Sequence, residues 1–149
     1  MFKLEDKFIN FIINRKELFL LFVVTIIAIF IRVIGFDVIS GDMRNFLIPW
    51  YNSFAAQGGI NALSHGVGNY NLLYQTIISI LSIIGNNTTI NSVVLYKIFS
   101  IIFDFALAIS IMFGISYLKN CKLLSLDCCL GYSVVLLMPT VILNSSYWG

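Results

Sequence analysis

The chain has 149 residues, of which 59 % are hydrophobic and only 11 % are charged, and its mean hydropathy is +0.93. This balance excludes a soluble globular domain, because so few charged residues cannot cover water-exposed helices. The formal net charge is only +2, and the basic residues form no stripe that would neutralise a phosphate backbone, so nucleic acid is excluded as a partner. The lipid bilayer is the expected surrounding.

The first apolar run, Leu18–Phe36, has the roughly 20 residues that a helix needs to cross the hydrocarbon core. Four basic residues precede it without a small-residue cleavage site, so the run predicts an uncleaved span rather than a signal peptide. They are Lys3, Lys7, Arg15 and Lys16. The chain is expected to be a multi-pass protein of the cell membrane. The positive-inside rule predicts that its N-terminus is cytoplasmic and that its first loop is on the outer side.

Arg32 stands near the far end of this first span. Two interpretations are open: the side chain snorkels to the membrane interface, or its guanidinium holds a lipid phosphate. Snorkelling is favoured, because long basic side chains near helix ends commonly do so.

The first loop runs from Asp37 to about Tyr70 and mixes polar residues, glycines and aromatic residues. Five large apolar residues recur in it at helical spacing and predict a short amphipathic helix after Pro49, lying in the membrane surface and ended by Gly58-Gly59. They are Phe46, Leu47, Trp50, Tyr51 and Phe54, with Trp50 and Tyr51 as interface-belt residues. A loop of this length is usually functional when it is not disordered.

Three further apolar runs follow. Val93–Leu118 and Leu123–Leu143 predict spanning helices, whereas Leu72–Ile84 is short for a span. Four full crossings would place Lys119 and Lys122 outside, against the charge bias. If the short helix instead re-enters or lies at the interface, both lysines are cytoplasmic. The two arrangements stay open. The predicted fold is an all-α, polytopic integral membrane protein with three or four hydrophobic helices and a surface-lying amphipathic helix.

Asp42, in SGDMRN, follows the exit of the first span and has Arg44 as a nearby positive charge. A carboxylate at the edge of a low-dielectric region can serve as the base that takes a proton from an acceptor hydroxyl. A solvated turn aspartate that caps the following helix explains the same pattern and is favoured on the residues alone.

Asp104 lies inside the third run, two helical turns after Lys97 and on nearly the same face. Intramembrane acids face a bundle interior or a wet cavity and pair with another group, so Asp104 is a candidate functional residue. The structural alternative is an interhelix bond to Arg32, Tyr74 or a serine. Transport or proton relay stays open on this residue alone.

The segment GNYNLLYQ gathers hydroxyl and amide groups at the membrane edge, which suits a sugar ring and is also typical of ordinary interface aromatics. Its candidates are Tyr70, Asn71 and Tyr74. No metal site built on cysteine and histidine is expected, because three cysteines without CxxC spacing and a single histidine supply too few ligands. The cysteines are expected to be apolar filler near a membrane face.

The order of these features resembles the polytopic GT-C glycosyltransferases, above all bacterial membrane proteins related to dolichyl-phosphate-mannose mannosyltransferases. The resemblance is carried by SGD with PWY, then GNYNLLYQ, KIFSIIFDFALA and MPTVILNSSYWG. It implies transfer of a hexose such as mannose, with inversion, from a polyprenyl-phosphate-linked donor to a glycan or lipid acceptor at the outer face. Asp42 would be the base and Trp148-Gly149 the start of a WGQ-type motif, whereas the IFDF pattern at Asp104 has an uncertain role.

The substrate-binding residues expected on this basis are Arg44, Tyr70, Asn71, Tyr74 and Trp148. No organic cofactor is implied, and a divalent metal is left open. GNYNLLYQ departs from the family in lacking a proline before its tyrosine. Residues 1–149 are expected to correspond to a single transmembrane domain at the N-terminal end of a larger one.

The rival hypothesis is a small non-enzymatic membrane protein, a transport or assembly subunit in which Asp104 pairs with a partner helix.

Overall fold

The computed structural model describes residues 15–148, and within this range the chain is helical and contains no strand. The α-helices are α1 (Lys16–Ile34), α2 (Ile48–Ala56), α3 (Leu72–Asn86), α4 (Ser92–Lys119), α5 (Leu126–Leu137) and α6 (Pro139–Ile142). The all-α prediction is confirmed. Lys3 and Lys7, on which the predicted orientation partly rests, lie outside the described residues.

Within residues 15–148, two stretches are long and apolar enough to cross a membrane: Lys16–Asp37, which contains α1, and Ser92–Lys119, which is α4. Large apolar side chains remain exposed on both, among them Phe22 and Phe30 on α1 and Phe113 on α4. Helices that are apolar all round without being covered by protein are typical of lipid contact. The chain is therefore a membrane protein.

The predicted continuous helix over Leu123–Leu143 is wrong. The structure has α5, a break at Met138, and a second helical stretch, Pro139–Trp148, which is bent by 47° relative to α5. Pro139 lacks an N–H group and disfavours helical backbone in the residue before it, and Met138 is indeed extended, with φ −63° and ψ 123°. Counting the bent pair as one span gives three candidate spans instead of two, and α3, with 15 residues, is shorter than a span requires.

The described residues form two compact units, and α4 contributes to both. The first contains the residues up to Val33 together with Phe103–Ile142, and the second contains Ile34–Ile102 and the residues from Leu143 onward. The core of the first unit is built by one face each of α1, α4 and α5. Its buried apolar residues are Val24, Ala28, Ala108, Met112, Cys128, Tyr132 and Leu136.

The second unit is built around α2, α3 and the first part of α4, with π-helical residues Met43–Leu47 leading into α2. Its buried apolar residues are Met43, Leu47, Tyr51, Phe54, Ala62, Ile78, Leu81, Val93, Leu95 and Tyr96. A helix is thus present where the amphipathic helix was predicted, and whether it lies in the membrane surface stays a prediction. Gly58 follows it with φ +82°, a conformation that favours glycine.

Tyr51 is not the interface-belt residue that its position suggested. Its side chain is only 7 % exposed, and its ring centroid lies 6.2 Å from that of Tyr96. The Tyr51 hydroxyl lies over Gly85, where any side chain would collide with it. Burial raises the pKa of Tyr51, so the phenol stays neutral. Tyr51 is therefore part of the core.

Candidate functional site

Asp42 and Trp148, 106 residues apart in the chain, meet in the second unit. The indole Nε1 of Trp148 donates a hydrogen bond to Oδ2 of Asp42 at 3.0 Å, and both side chains are exposed. The structure therefore brings together the predicted base and the predicted C-terminal motif residue.

Asp42 does not cap the helix that follows it. That position is filled by Ser40, whose Oγ accepts a hydrogen bond from the backbone N–H of Met43 at 3.0 Å, while the Asp42 side chain makes no capping bond. The interpretation of Asp42 as a helix-capping turn residue is therefore wrong: the shorter serine side chain, two residues earlier, already satisfies the free N–H. The carboxylate is left for other contacts.

The C-terminal segment that carries Trp148 lies against the turn that follows α1. A Cβ atom added to Gly35 would stand 2.8 Å from the carbonyl oxygen of Ser146 and 3.0 Å from the ring of Tyr147. Only glycine permits this close approach of backbone to backbone. Gly35 therefore helps to place both Asp42, further along the same loop, and Trp148.

Lys97 secures the same turn from within the protein. Its side chain is 0 % exposed, and Nζ donates to the carbonyl oxygens of Gly35 at 2.6 Å, Phe36 at 3.3 Å and Val38 at 2.5 Å. Carbonyls at the C-terminal end of a helix lack partners and carry partial negative charge, so an ammonium group satisfies them and is itself stabilised. The sequence did not indicate this role, although a charged residue in an apolar helix was the available signal.

Four aromatic rings form a row in the second unit. Ring centroids are 5.8 Å apart for Phe46 and Trp50, 5.0 Å for Trp50 and Tyr70, and 5.0 Å for Tyr70 and Tyr74. Burial and, secondarily, the neighbouring Tyr70 raise the pKa of Tyr74, so its hydroxyl remains a donor. Two of the predicted sugar-binding residues thus share one aromatic row.

The third predicted residue of this segment, Asn71, has a structural role. Its Oδ1 accepts a hydrogen bond from the backbone N–H of Tyr74 at 2.9 Å and caps α3. Arg44 is exposed on the π-helical turn after Asp42. Within residues 15–148, no hydrogen bond or ring contact joins Asp42 to the aromatic row.

Arg32 does not snorkel, so that interpretation is wrong. Its side chain is 0 % exposed, and its Nε and Nη2 donate to Oδ2 of Asp104 at 3.1 Å and 2.9 Å. Of the three structural partners considered for Asp104, the structure selects Arg32. A partly buried carboxylate beside a guanidinium is far less costly than a bare one, which explains why both groups are found in apolar helices of the first unit.

The same guanidinium also compensates for the break after α5. Its Nη1 donates to the carbonyl oxygens of Ala28 at 3.1 Å and of Leu136 at 2.9 Å. Leu136 lies in the last turn of α5, where the break leaves carbonyls without helical donors. Arg32 supplies the missing donor, so one side chain connects α1, α4 and α5.

Comparisons of the chain with family models, with curated proteins and with solved structures give no match. Within the part of the chain that the structure describes, no group of three or more His, Cys, Asp and Glu side chains is placed to hold a metal ion.

Proposed function

We propose that this chain belongs to a multi-pass membrane glycosyltransferase that transfers a hexose from a polyprenyl-phosphate-linked donor to a glycan or lipid acceptor at the outer membrane face. Asp42 is the general base. The observation that carries the proposal is the hydrogen bond between Asp42 and Trp148, because it joins the acid of the first loop to the C-terminal NSSYW segment.

The arrangement suits general-base catalysis. The indole N–H holds one carboxylate oxygen, and among the described residues the other oxygen, Oδ1, has no hydrogen-bond partner. That oxygen is available to take the proton of an acceptor hydroxyl while the hydroxyl oxygen attacks the anomeric carbon. The bond from this carbon to the phosphate oxygen breaks on the opposite face, which inverts the configuration.

Other residues of the second unit supply the chemistry that such substrates need. The guanidinium of Arg44 is exposed two positions after the base and can bind a phosphate. The row of Phe46, Trp50, Tyr70 and Tyr74 offers ring faces and phenol hydroxyls, which suit a sugar or a polyprenyl chain. A cytoplasmic N-terminus would place this unit's first loop at the outer face.

The rival hypothesis of a non-enzymatic assembly subunit depends on Asp104 pairing with a partner helix. Asp104 accepts two hydrogen bonds from Arg32 of the same chain. Its presence in an apolar helix is therefore explained without a second protein, which favours the glycosyltransferase proposal.

Asp42→Asn tests the proposed function. Membranes that contain the protein are incubated with polyprenyl-phosphate carrying a radiolabelled hexose, and label transferred to acceptor is counted. We expect transfer to fall by about 10²–10⁴-fold, because the amide keeps the side-chain shape but cannot accept the proton. Resistance of the variant to alkaline extraction shows that membrane insertion is intact.

Asp37→Asn is the matched control, because Asp37 is an exposed carboxylate of the same loop with no part in the proposed chemistry. It should retain transfer. Undiminished transfer by Asp42→Asn, or an equal loss in both variants, would refute the role of Asp42.

A further inference from the structure

Two thiol groups lie in contact in the first unit, in the link between α4 and α5. Sγ of Cys121 is 3.7 Å from Sγ of Cys128, and both cysteines are free. The Cys121 sulfur also lies 3.2 Å from Oγ of Ser125, and the Cys128 thiol donates to the carbonyl oxygen of Lys122 at 3.6 Å. This pairing does not depend on the proposed glycosyltransferase function.

The backbone holds Cys121 in place through the end of α4. The N–H of Cys121 donates to the carbonyl of Ser116 at 3.1 Å, and that of Asn120 donates to the carbonyl of Tyr117 at 3.4 Å. Asn120 has φ +47°, so the three features together make a Schellman motif with asparagine as the left-handed residue. The chain therefore reverses sharply and directs Cys121 toward the start of α5.

Cys128 is fixed from the other side by the cap of α5. Ser125 is the capping residue, and its Oγ accepts a hydrogen bond from the N–H of Cys128 at 3.4 Å. Cys128 thus lies in the first turn of α5, where its sulfur contacts the sulfur of Cys121. Lys119, in the last turn of α4, pairs with Asp127 in the first turn of α5 at 2.6 Å.

The two sulfurs differ in access. Cys121 is partly exposed, whereas Cys128 and its neighbour Cys129 are buried. A partly exposed thiol in contact with a second thiol is the arrangement of an attacking and a resolving cysteine.

We propose that Cys121 and Cys128 form a redox-active dithiol that a hydroperoxide converts to a disulfide. With hydrogen peroxide, the Cys121 thiol gives up its proton and its sulfur attacks one peroxide oxygen. The O–O bond breaks, and the hydroxide that leaves takes up that proton, so Cys121 sulfenic acid and one water form. The Cys128 sulfur then attacks the sulfenic sulfur, the S–S bond forms, and the hydroxyl leaves as a second water. The two thiols lose two electrons and two protons together, and the peroxide is reduced by two electrons.

The test uses the whole protein in detergent micelles, reduced with dithiothreitol, freed of it, and then treated with an equimolar amount of hydrogen peroxide. Remaining thiols are blocked, and tryptic peptides are analysed by mass without reduction. Trypsin cleaves after Lys119 and Lys122, so Cys121 falls on a different peptide from Cys128. We expect these two peptides to be linked, two of the three thiols to be lost, and dithiothreitol to reverse both changes.

Cys129→Ala is the matched control, because Cys129 shares the second peptide and is equally buried. The linked peptides should form undiminished in this variant. Loss of the link in Cys129→Ala, or linkage only between two chains on a non-reducing gel, would overturn the assignment. So would oxidation of Cys121 to sulfinic acid without any linked peptide.

Cys128→Ser assigns the attacking thiol. Without its resolving partner, Cys121 sulfenic acid should accumulate and be captured by dimedone. Capture at Cys129 instead would contradict the attacking role of Cys121.

A second measurement needs no substitution. A trivalent arsenical, which bridges two adjacent thiols, should protect Cys121 and Cys128 of the reduced chain from maleimide while Cys129 stays unprotected. Failure of that protection would show that the thiols are not adjacent.

Discussion

Among the described residues, each unit encloses one cation that is fully buried, and the two cations are hydrogen-bonded in different ways. Arg32 in the first unit is 0 % exposed and binds a carboxylate and two carbonyl oxygens. Lys97 in the second unit is also 0 % exposed but binds three carbonyl oxygens. Arg32 is therefore hydrogen-bonded to an opposite charge, whereas every hydrogen bond of Lys97 goes to a backbone carbonyl and Asp37 acts on it only electrostatically.

The difference follows from the shapes of the two groups. A guanidinium is planar and has five N–H donors, so it can reach a carboxylate on one side and separate carbonyls on another. An ammonium is a compact charge with three donors, which matches a cluster of carbonyls at a helix end. A buried cation in an apolar helix can thus be held by carbonyl oxygens without a hydrogen bond to a carboxylate.

The largest effect is expected from Arg32→Met, because it leaves the Asp104 carboxylate in apolar surroundings without its cation. Removing one partner of a buried ion pair typically costs about 3–5 kcal/mol of the free energy of unfolding. Unfolding of the chain in mixed detergent micelles, followed by circular dichroism, measures the loss.

Asp104→Asn in the Arg32→Met background is the control, because it removes the orphaned charge. We expect the double variant to recover part of the lost stability. If the single and double variants were equally unstable, the unpaired carboxylate would not be the cause.

A smaller effect is expected from Lys97→Met. This change removes the donor shared by three neutral carbonyls, of which that of Gly35 keeps a bond from the N–H of Val38. No unpaired charge is left, and an unsatisfied neutral group typically costs about 1–3 kcal/mol. The same unfolding measurement applies, and Ile98→Met on an exposed position of the same helix is a control that should leave stability unchanged. A loss as large as that of Arg32→Met would contradict the distinction between the two cations.

The smallest effect is expected at the exposed ion pair between Lys119 and Asp127. Its atoms are 2.6 Å apart, closer than those of Arg32 and Asp104, yet both side chains are at least half exposed. Water and salt screen such a pair, so Lys119→Gln should not shift the unfolding midpoint beyond experimental error. A clear shift that disappears at high salt would show that distance, rather than burial, ranks these pairs.

Hydropathy predicted α1 and α4 well because long uninterrupted apolar runs have few alternatives in a membrane. It failed between Leu123 and Leu143, where the run is equally apolar but the backbone breaks. The information was present in Pro139, yet hydropathy describes transfer of side chains into lipid and contains nothing about backbone dihedral angles. The end of a helix must be inferred from caps and proline instead.

Partners across helices were harder to predict than the helices themselves. The sequence placed Asp104 in an apolar helix and offered Arg32 as one of its possible partners, but it also favoured a snorkelling Arg32. The position of a residue along its own helix does not show that a neighbouring helix offers a carbonyl without a helical donor, as α5 does at Leu136. The contact of Cys121 with Cys128 was missed for a related reason, because it depends on the left-handed turn at Asn120 rather than on CxxC spacing.

The contact of Asp42 with Trp148 has a different origin. The order of motifs singled out both residues, but nothing in their spacing predicted a hydrogen bond across 106 positions. Ser40 was equally visible in the sequence as a capping residue, and preferring it would have released Asp42 for another role. The roles of Asp42, Arg44 and Tyr70 in sugar transfer stay predictions.

The break at Met138 and the guanidinium of Arg32 constrain each other's evolution. In a straight helix through position 138, a backbone N–H would donate to the Leu136 carbonyl, and Arg32 would lose that acceptor. Loss of Arg32 would in turn leave the carbonyl at the broken end without a donor. Neither change is neutral alone, so substitutions at Arg32 and Pro139 should be epistatic. Lineages that straighten this helix are expected to have replaced the arginine, and with it Asp104, in the same interval.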